Sequence, residues 1–287
     1  MTATVITPET RVPAPARPGG GLARSFRAEW IKLTRRRMLT GTLLALTVIA
    51  AGGTAIGITA ARDTAPGGRV QAPDQPTTIA ALEHAGGGTA LFSQTMGFMQ
   101  AFLLAVLVGA VAAEFTRGTF RTMLLQQPNR ARVFGGKIAA IVTFMAAAVL
   151  LGEIVSWLTS WAMAPSQGVD TTRWITLDGL QAGAEDFARA IAYVVGTAVL
   201  ASMVGILARS IPIGVGVALV WAGPIENIIG DSWSPGPKVF PGLLMRAVIN
   251  PGSTPVSTGQ ALLTLTGYCI VAAAIAVIAL RRRDVTS

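Results

Sequence analysis

Six apolar stretches of roughly 20 residues each constrain this chain more than any motif does. They fall near residues 39–61, 92–113, 138–163, 188–208, 211–229 and 257–280. At 1.5 Å rise per residue, about 20 apolar residues match the hydrocarbon core of a bilayer. Inside lipid every backbone N–H and C=O must be satisfied within its own segment, so such runs are helices unless they close into a barrel. The period-2 alternation of a barrel strand is absent from these runs,. Charged residues make up 13% of the 287-residue chain, about half the roughly 25% of soluble domains. The expectation is an all-α polytopic membrane protein with six transmembrane helices.

The net charge of +9 is distributed by topology. With the N-terminus inside, most of the 23 Lys and Arg residues lie in inner segments, including Arg35, Arg36, Arg37, Arg130, Arg132, Lys137 and Arg281 to Arg283. The outer segments and outer helix ends keep Arg62, Arg69, Arg173, Arg189, Lys238 and Arg246. Cations retained on the inner side orient a membrane protein, so both termini are expected in the cytoplasm. Anionic lipid headgroups are the natural partner for that charge. No nucleic-acid reader motif accompanies it, so no nucleic-acid partner is expected. A multi-pass protein of the cell (inner or plasma) membrane of a bacterium is the expected setting.

Residues 1–22, rich in Pro and Gly, read as a disordered cytoplasmic tail,. Residues 23–37 follow as an amphipathic interfacial helix, with Phe26, Trp30 and Leu33 at i, i+4 and i+7 on one membrane-interface face,. A six-span transmembrane domain over 38–283 and a short cytoplasmic tail over 284–287 complete the division. In the first span Gly53 and Gly57 form a small-residue pair suited to close packing,. The loop 62–91 reads as irregular. The apolar segment 239–249 is too short to cross, and is either a short helix dipping into the outer leaflet or an ordered loop,. Cys269 is the one cysteine and His84 the one histidine. No catalytic residue set and no metal site is read from the sequence.

The second and third spans are separated by a basic insert, residues 114–137, far longer than a helix–helix connection requires,. Thr119, Phe120, Met123 and Leu124 place apolar groups beside Arg117 and Arg121, as a surface helix would. Pro128 stops that helix, Asn129 and Arg130 suit a turn, and Gly135–Gly136 end the return,. No phosphate-binding loop is present: Gly135-Gly136-Lys137-Ile138 lacks both its spacing and its hydroxyl,.

The pattern Glu114-x-x-x-Gly118-Thr119-x-Arg121-x-x-Leu124, followed by Pro128-x-Arg130 and Lys137, resembles the permease subunits of type-2 ATP-binding-cassette exporters. Glu29-Trp30-Ile31-Lys32-Leu33 before the first span and the six-span layout are similar to that family too. The resemblance implies that the insert is a coupling helix docking on a separate ATP-hydrolysing subunit, through Glu114, Arg117, Gly118, Thr119, Arg121, Leu124, Pro128 and Arg130. Residues 23–37 would be the connecting helix bracing it. Glu114 would orient the coupling helix or pair with Arg117 or Arg121, whereas Arg132 and Lys137 are read as enforcing topology. The partners implied are two copies of the ATP-binding subunit, carrying ATP and Mg²⁺, and a second permease chain, the same or related. This chain itself would bind no cofactor and would not be an enzyme.

Polar groups inside the spans suggest a substrate pathway: Gln100, Glu153 with Trp157 one turn on, and Glu226. Carboxylates in the membrane face a cavity or a partner by default. Glu153 therefore either lines a pocket for an amphipathic or cationic substrate or pairs with Arg189. The expected activity is outward movement of a lipophilic or amphipathic molecule (drug, antibiotic, peptide or lipid-like). The alternative is an ATP-independent secondary transporter or channel using Glu153.

Overall fold

The computed structural model describes residues 21–62, 77–117 and 129–282. Gly118, Thr119, Arg121, Leu124 and Pro128, most of the tail 1–22, and the tail 284–287 lie outside the described residues. The same holds for the side chain of Arg130. Among the described residues the secondary structure is helical, with one isolated bridge between Arg62 and Thr78. Five helices are long and apolar enough to cross a membrane, six if one bent pair counts as a single span. The protein is an all-α polytopic membrane protein.

In chain order the helices are α1 (Gly21–Leu33), α2 (Arg36–Thr59), α3 (Ile79–Leu82), α4 (Gly87–Phe98), α5 (Gln100–Thr116) and α6 (Arg130–Met163). They continue with α7 (Leu177–Ala208), α8 (Ile211–Val220), a π-helical turn (Trp221–Ile225), α9 (Glu226–Ser232), α10 (Gly236–Val239), α11 (Pro241–Ile249) and α12 (Thr258–Arg282). The spans run up and down, so one end of the bundle gathers α1, the end of α5, the start of α6, the α7–α8 turn and the end of α12. That turn is made by Arg209, a non-glycine residue in the left-handed region at φ 53°. Its guanidinium lies 5.6 Å from the centre of the Phe115 ring, a cation–π contact that holds the turn against α5.

Four sequence expectations are corrected. The interfacial helix is shorter and earlier than 23–37: α1 covers Gly21–Leu33, and Arg36 already opens α2. Gly135 and Gly136 do not end a return segment but lie inside α6, which starts at Arg130 with the Asn129 side chain accepting from the Arg132 N–H at 3.2 Å. The second span is not straight: α4 and α5 meet at Met99 with a 60° bend. Residues 62–91 are not wholly irregular, since α3 and the first turn of α4 fall within them.

The bend sits where the core needs it. Segment 239–249 supplies α11, whose Leu244, Ala247, Val248 and Ile249 are buried in the largest apolar cluster together with Tyr193 and Phe92. A side chain at Gly97 would collide with the Asn250 amide, so glycine there lets the chain after α11 approach the break. A broken helix strands carbonyl groups that lipid cannot satisfy. The fully buried Tyr193 hydroxyl donates to one of them, Met96 O, at 3.3 Å. On α2, Gly53 and Gly57 face Thr95 and Leu91 of α4 at distances where any Cβ would clash. Next to Gly53 on that helix, the buried Thr54 hydroxyl and the Ser156 hydroxyl join α2 to α6 at 2.6 Å.

Candidate functional site

Two polar constellations stand out against the apolar bundle, one at the end that carries α1 and one beside the bent span.

At the first, α1 lies on α6 with a polar stripe inward. Gly21, Ser25 and Glu29, spaced four apart, are its buried residues. The notch that receives them is glycine: a Cβ on Gly136 would lie 2.7 Å from Leu22 O and 2.6 Å from Ser25 Cβ. Phe26 and Trp30 are half-buried, stack with centroids 5.8 Å apart, and Trp30 meets Phe144 of α6 edge-on at 6.4 Å. Leu33 is half-buried too. The aromatic face is thus partly spent on protein contact, which the i, i+4, i+7 spacing could not reveal.

The stripe ends in a ring of four alternating charges. Lys137 Nζ lies 2.9 Å from Glu29 Oε1 and 2.8 Å from Glu114 Oε1. Lys32 Nζ closes the ring at 2.9 Å from Glu29 Oε2 and 3.0 Å from Glu114 Oε1. The Lys137 and Glu29 side chains are each 6% exposed, whereas Lys32 is 36% exposed. Burial alone would raise the Glu29 carboxyl, but the ammonium groups of Lys137 and Lys32 hold it below its ordinary value,. Burial would likewise lower the Lys32 ammonium, and Glu114 and Glu29 hold it above its usual range. Lys137 is therefore more than a topology marker, and Glu114 pairs with Lys32 and Lys137, a pairing the sequence did not suggest. Glu114 lies in the last turn of α5 and Lys137 about two turns into α6, so the ring clamps the two helices that flank the connection 118–128 and fixes α1 to both. Arg117, the last described residue before that connection, is exposed.

The second constellation is a half-open groove of about 350 Å³ lined by α5, α7, α8, the π-helical turn, α11 and α12, with Val217, Trp221 and Val271 exposed along its outer side. Its walls are apolar, from Leu104, Val217, Met245, Val271 and Ile275. Its polar groups are concentrated where Gln100 at the bend meets Glu226 and Gly242. Pro224 lacks an N–H and sits within the π-helical turn. The wider turn puts the Trp221 indole five residues from Glu226, and its N–H donates to Glu226 Oε1 at 2.6 Å. The Glu226 carboxylate also takes the Gly242 backbone N–H, one of the orphan donors at the start of α11,, and Gln100 Oε1 is buried without a hydrogen-bond partner. π-Turns of this kind recur at functional sites.

The structure thus brings Gln100 and Glu226 together and separates them from Glu153 and Trp157, which do not line that groove. Trp157 packs on Gly88 at the start of α4 and stacks on Trp161 with centroids 6.4 Å apart. Glu153 is 6% exposed, and its Oε1 has no hydrogen-bond partner. The expected Glu153–Arg189 pair is not made. Arg189 instead bonds Asp186 at 2.6 Å and Glu185 at 2.9 Å, both on its own helix at i−3 and i−4. Sequence reasoning missed Glu29 and Lys32 as network members; Glu29-x-x-Lys32 at helical spacing was the available signal. Among the described residues no cluster of His, Cys, Asp or Glu could hold a metal ion.

The family described as "Protein of unknown function (DUF2705)" matches residues 80–286. The chain belongs to the DUF2705 family. Among curated proteins, none matches it. The DUF2705 match takes in the whole lining of the groove and both α5 and α6, but not α1 or α2. The charge ring therefore joins two residues of the DUF2705 region, Glu114 and Lys137, to two that precede it, Glu29 and Lys32.

Proposed function

We propose that this chain is the membrane-spanning permease subunit of a type-2 ATP-binding-cassette exporter, with both termini and the α5–α6 connection on the cytoplasmic side. The observation that carries this reading is the charge ring of Glu29, Lys32, Glu114 and Lys137. A partner that pushes on the connection 118–128 moves the ends of α5 and α6, and α1 moves with them because the ring ties the three together. α6 then carries the displacement: its 34 unbroken residues span about 51 Å at 1.5 Å per residue, beyond the roughly 30 Å hydrocarbon core. α5 delivers the same motion to the bend at Met99 and to the groove beside it.

In this reading ATP and Mg²⁺ belong to a separate subunit present in two copies, a second permease chain completes the pathway, and the protein sits in the cell membrane. The chain supplies docking, transmission and a route for a lipophilic or amphipathic molecule, and performs no chemistry. Arg117, Arg121 and Arg130 would meet acidic groups of the ATP-binding subunit. Co-expression with the ATP-binding subunit encoded beside its gene, followed by purification through this chain, tests the assignment. A hydrolytically active complex is expected, and Arg121→Glu combined with Gly118→Trp should abolish assembly or turnover. Purification of this chain without that subunit, or full turnover in the double variant, overturns the reading. A second reading, ion-coupled transport without ATP, is favoured by one observation, the unpartnered buried oxygen of Glu153.

A further inference from the structure

The groove beside the bent span is open on one side and offers its contents almost nothing but carbon. Gln100 and Glu226 belong to its floor but are closed off, whereas Val217, Trp221 and Val271 are exposed along the open side. On a membrane-embedded bundle such a slot suits a flexible hydrocarbon chain, since a polar ligand would find no partners on its walls. What sets it apart from the rest of the lipid-facing surface is its rim.

Residues 238–241 form that rim. The hydroxyl of Tyr268, a residue of the groove wall, donates to Val239 O at 2.8 Å. Phe240 meets the groove residue Trp221 edge-on at 6.2 Å and Trp233 at 5.9 Å, and Pro241 lines the groove itself. Trp221 and Trp233 are both exposed, and exposed Trp side chains favour the level of lipid headgroups. Lys238, next to Val239, is exposed, and among the described residues it makes no ion pair. Tyr268 stands ten residues into α12, about 15 Å from the helix start at 1.5 Å per residue, so the rim lies within the leaflet away from the charge ring. A lysine there runs its stem along apolar surface and lifts its ammonium to the headgroups. A charge at the edge of the hydrocarbon is costly alone and is favoured beside an anion.

We propose that the groove is a binding site for one anionic phospholipid of that leaflet, with an acyl chain against Val217, Val271 and Ile275 and the phosphate held by Lys238 beside Trp221 and Trp233. Charge selects the occupant: a neutral lipid, or an apolar helix of a second copy, would leave the Lys238 ammonium without an anion. Bound there, the lipid bridges α8 to α12 across the open side. The site needs only the membrane-embedded bundle and does not rest on the permease reading.

The test is photolabelling of the full chain in phosphatidylcholine nanodiscs doped with a phosphatidylglycerol that carries a diazirine on one acyl chain, the labelled residues being mapped by mass spectrometry. Ile56, 70% exposed on the half of α2 away from the charge ring, reports ordinary lipid contact. Labelling of residues 217–222 and 271–275 should saturate and exceed that around Ile56 about tenfold, the scale of a charge-assisted hydrogen bond. Unlabelled phosphatidylglycerol should displace it. A diacylglycerol with the same chain lacks the phosphate and should label the groove and Ile56 alike. Lys238→Gln should lower the phosphatidylglycerol excess to the diacylglycerol level, and Val271→Trp should fill the groove and abolish the excess. Both positions are exposed, so neither change disturbs the core. Equal labelling of the groove and Ile56 by phosphatidylglycerol, which is annular lipid only, overturns the proposal. So does an excess that the diacylglycerol shares or that neither variant alters, and so does an unlabelled groove, the result if a second copy of the chain covers it. None of these results bears on whether an ATP-binding subunit co-purifies, so the two readings fail separately.

Discussion

Replacing Lys137 with Met should release α1 from the bundle. Lys137 is the buried cation of the ring, with its side chain 6% exposed and carboxylate oxygens at 2.8 and 2.9 Å. Met preserves the volume and removes the charge, leaving the buried Glu29 with Lys32, which is 36% exposed, as its remaining ring partner. Removing one partner of a buried pair typically costs about 3–5 kcal/mol, because the other charge stays buried. The cost falls on the docking of α1 and not on the whole bundle, since α1 is held mainly by α6. At roughly 1.4 kcal/mol per factor of ten, the opening equilibrium of α1 should rise by about two to three and a half orders of magnitude. Hydrogen exchange of the α1 amides in nanodiscs measures this directly, with α7 amides as the internal control. The charge-balanced double variant Glu29→Gln/Lys137→Met should recover much of the lost protection, because no carboxylate of α1 is then left unpaired. Protection within a few-fold of the parent in Lys137→Met, or additive effects in the double variant, would refute the view that the ring anchors α1.

Three further outcomes follow from the same structure. The Glu29 carboxyl is held below its ordinary value of 4.5, so its contribution is full above that pH and is lost as pH falls through the lowered value,. The Lys32 ammonium is held above 10.5, so its contribution is full below that pH and disappears as pH rises through the raised value. α1 protection, corrected for intrinsic exchange, should therefore be flat across neutral pH and fall at both extremes. Gly136→Leu should undock α1 without touching a charge, because Leu22 O already stands 2.7 Å from where the Cβ would be; trypsin cleavage at Arg24 and Arg27 reports it. Tyr193→Phe should cost about 1–2 kcal/mol of resistance to denaturing detergent, the price of an orphaned Met96 carbonyl in a low-dielectric interior, and unchanged resistance would show that another donor serves the bend.

The places and order of the apolar helices could be read from the sequence, five of them long enough to cross and a sixth only if the bent pair counts as one span, because runs of apolar residues at membrane length admit few alternatives. Apolarity carries no information about where a span bends. The break at Met99 has no proline to announce it, and arises because α11 enters the core beside Gly97 and Gly242. Gln100 and Glu226 were recognisable as polar groups in apolar runs, but their convergence depends on that bend and on the π-helical turn at Pro224. Glu153 carried the same signal as Glu226 and ended elsewhere, on a straight helix facing other neighbours. Lys137 looked like one more inner-edge cation; its burial comes from Gly136 beside it, which admits α1 closely enough to cover it.

If the chain is a permease, an ATP-hydrolysing partner acts on the end of the bundle that carries the charge ring. Site-directed cross-linking tests it most directly, in a Cys269→Ser background with a single cysteine at the exposed Arg117 and a thiol-reactive photo-cross-linker in native membranes. A cross-linked band containing a subunit with a phosphate-binding loop is expected from Arg117→Cys and not from Ser166→Cys at the opposite end. A band formed equally from Ser166→Cys, or none containing an ATP-binding subunit from Arg117→Cys, would contradict it.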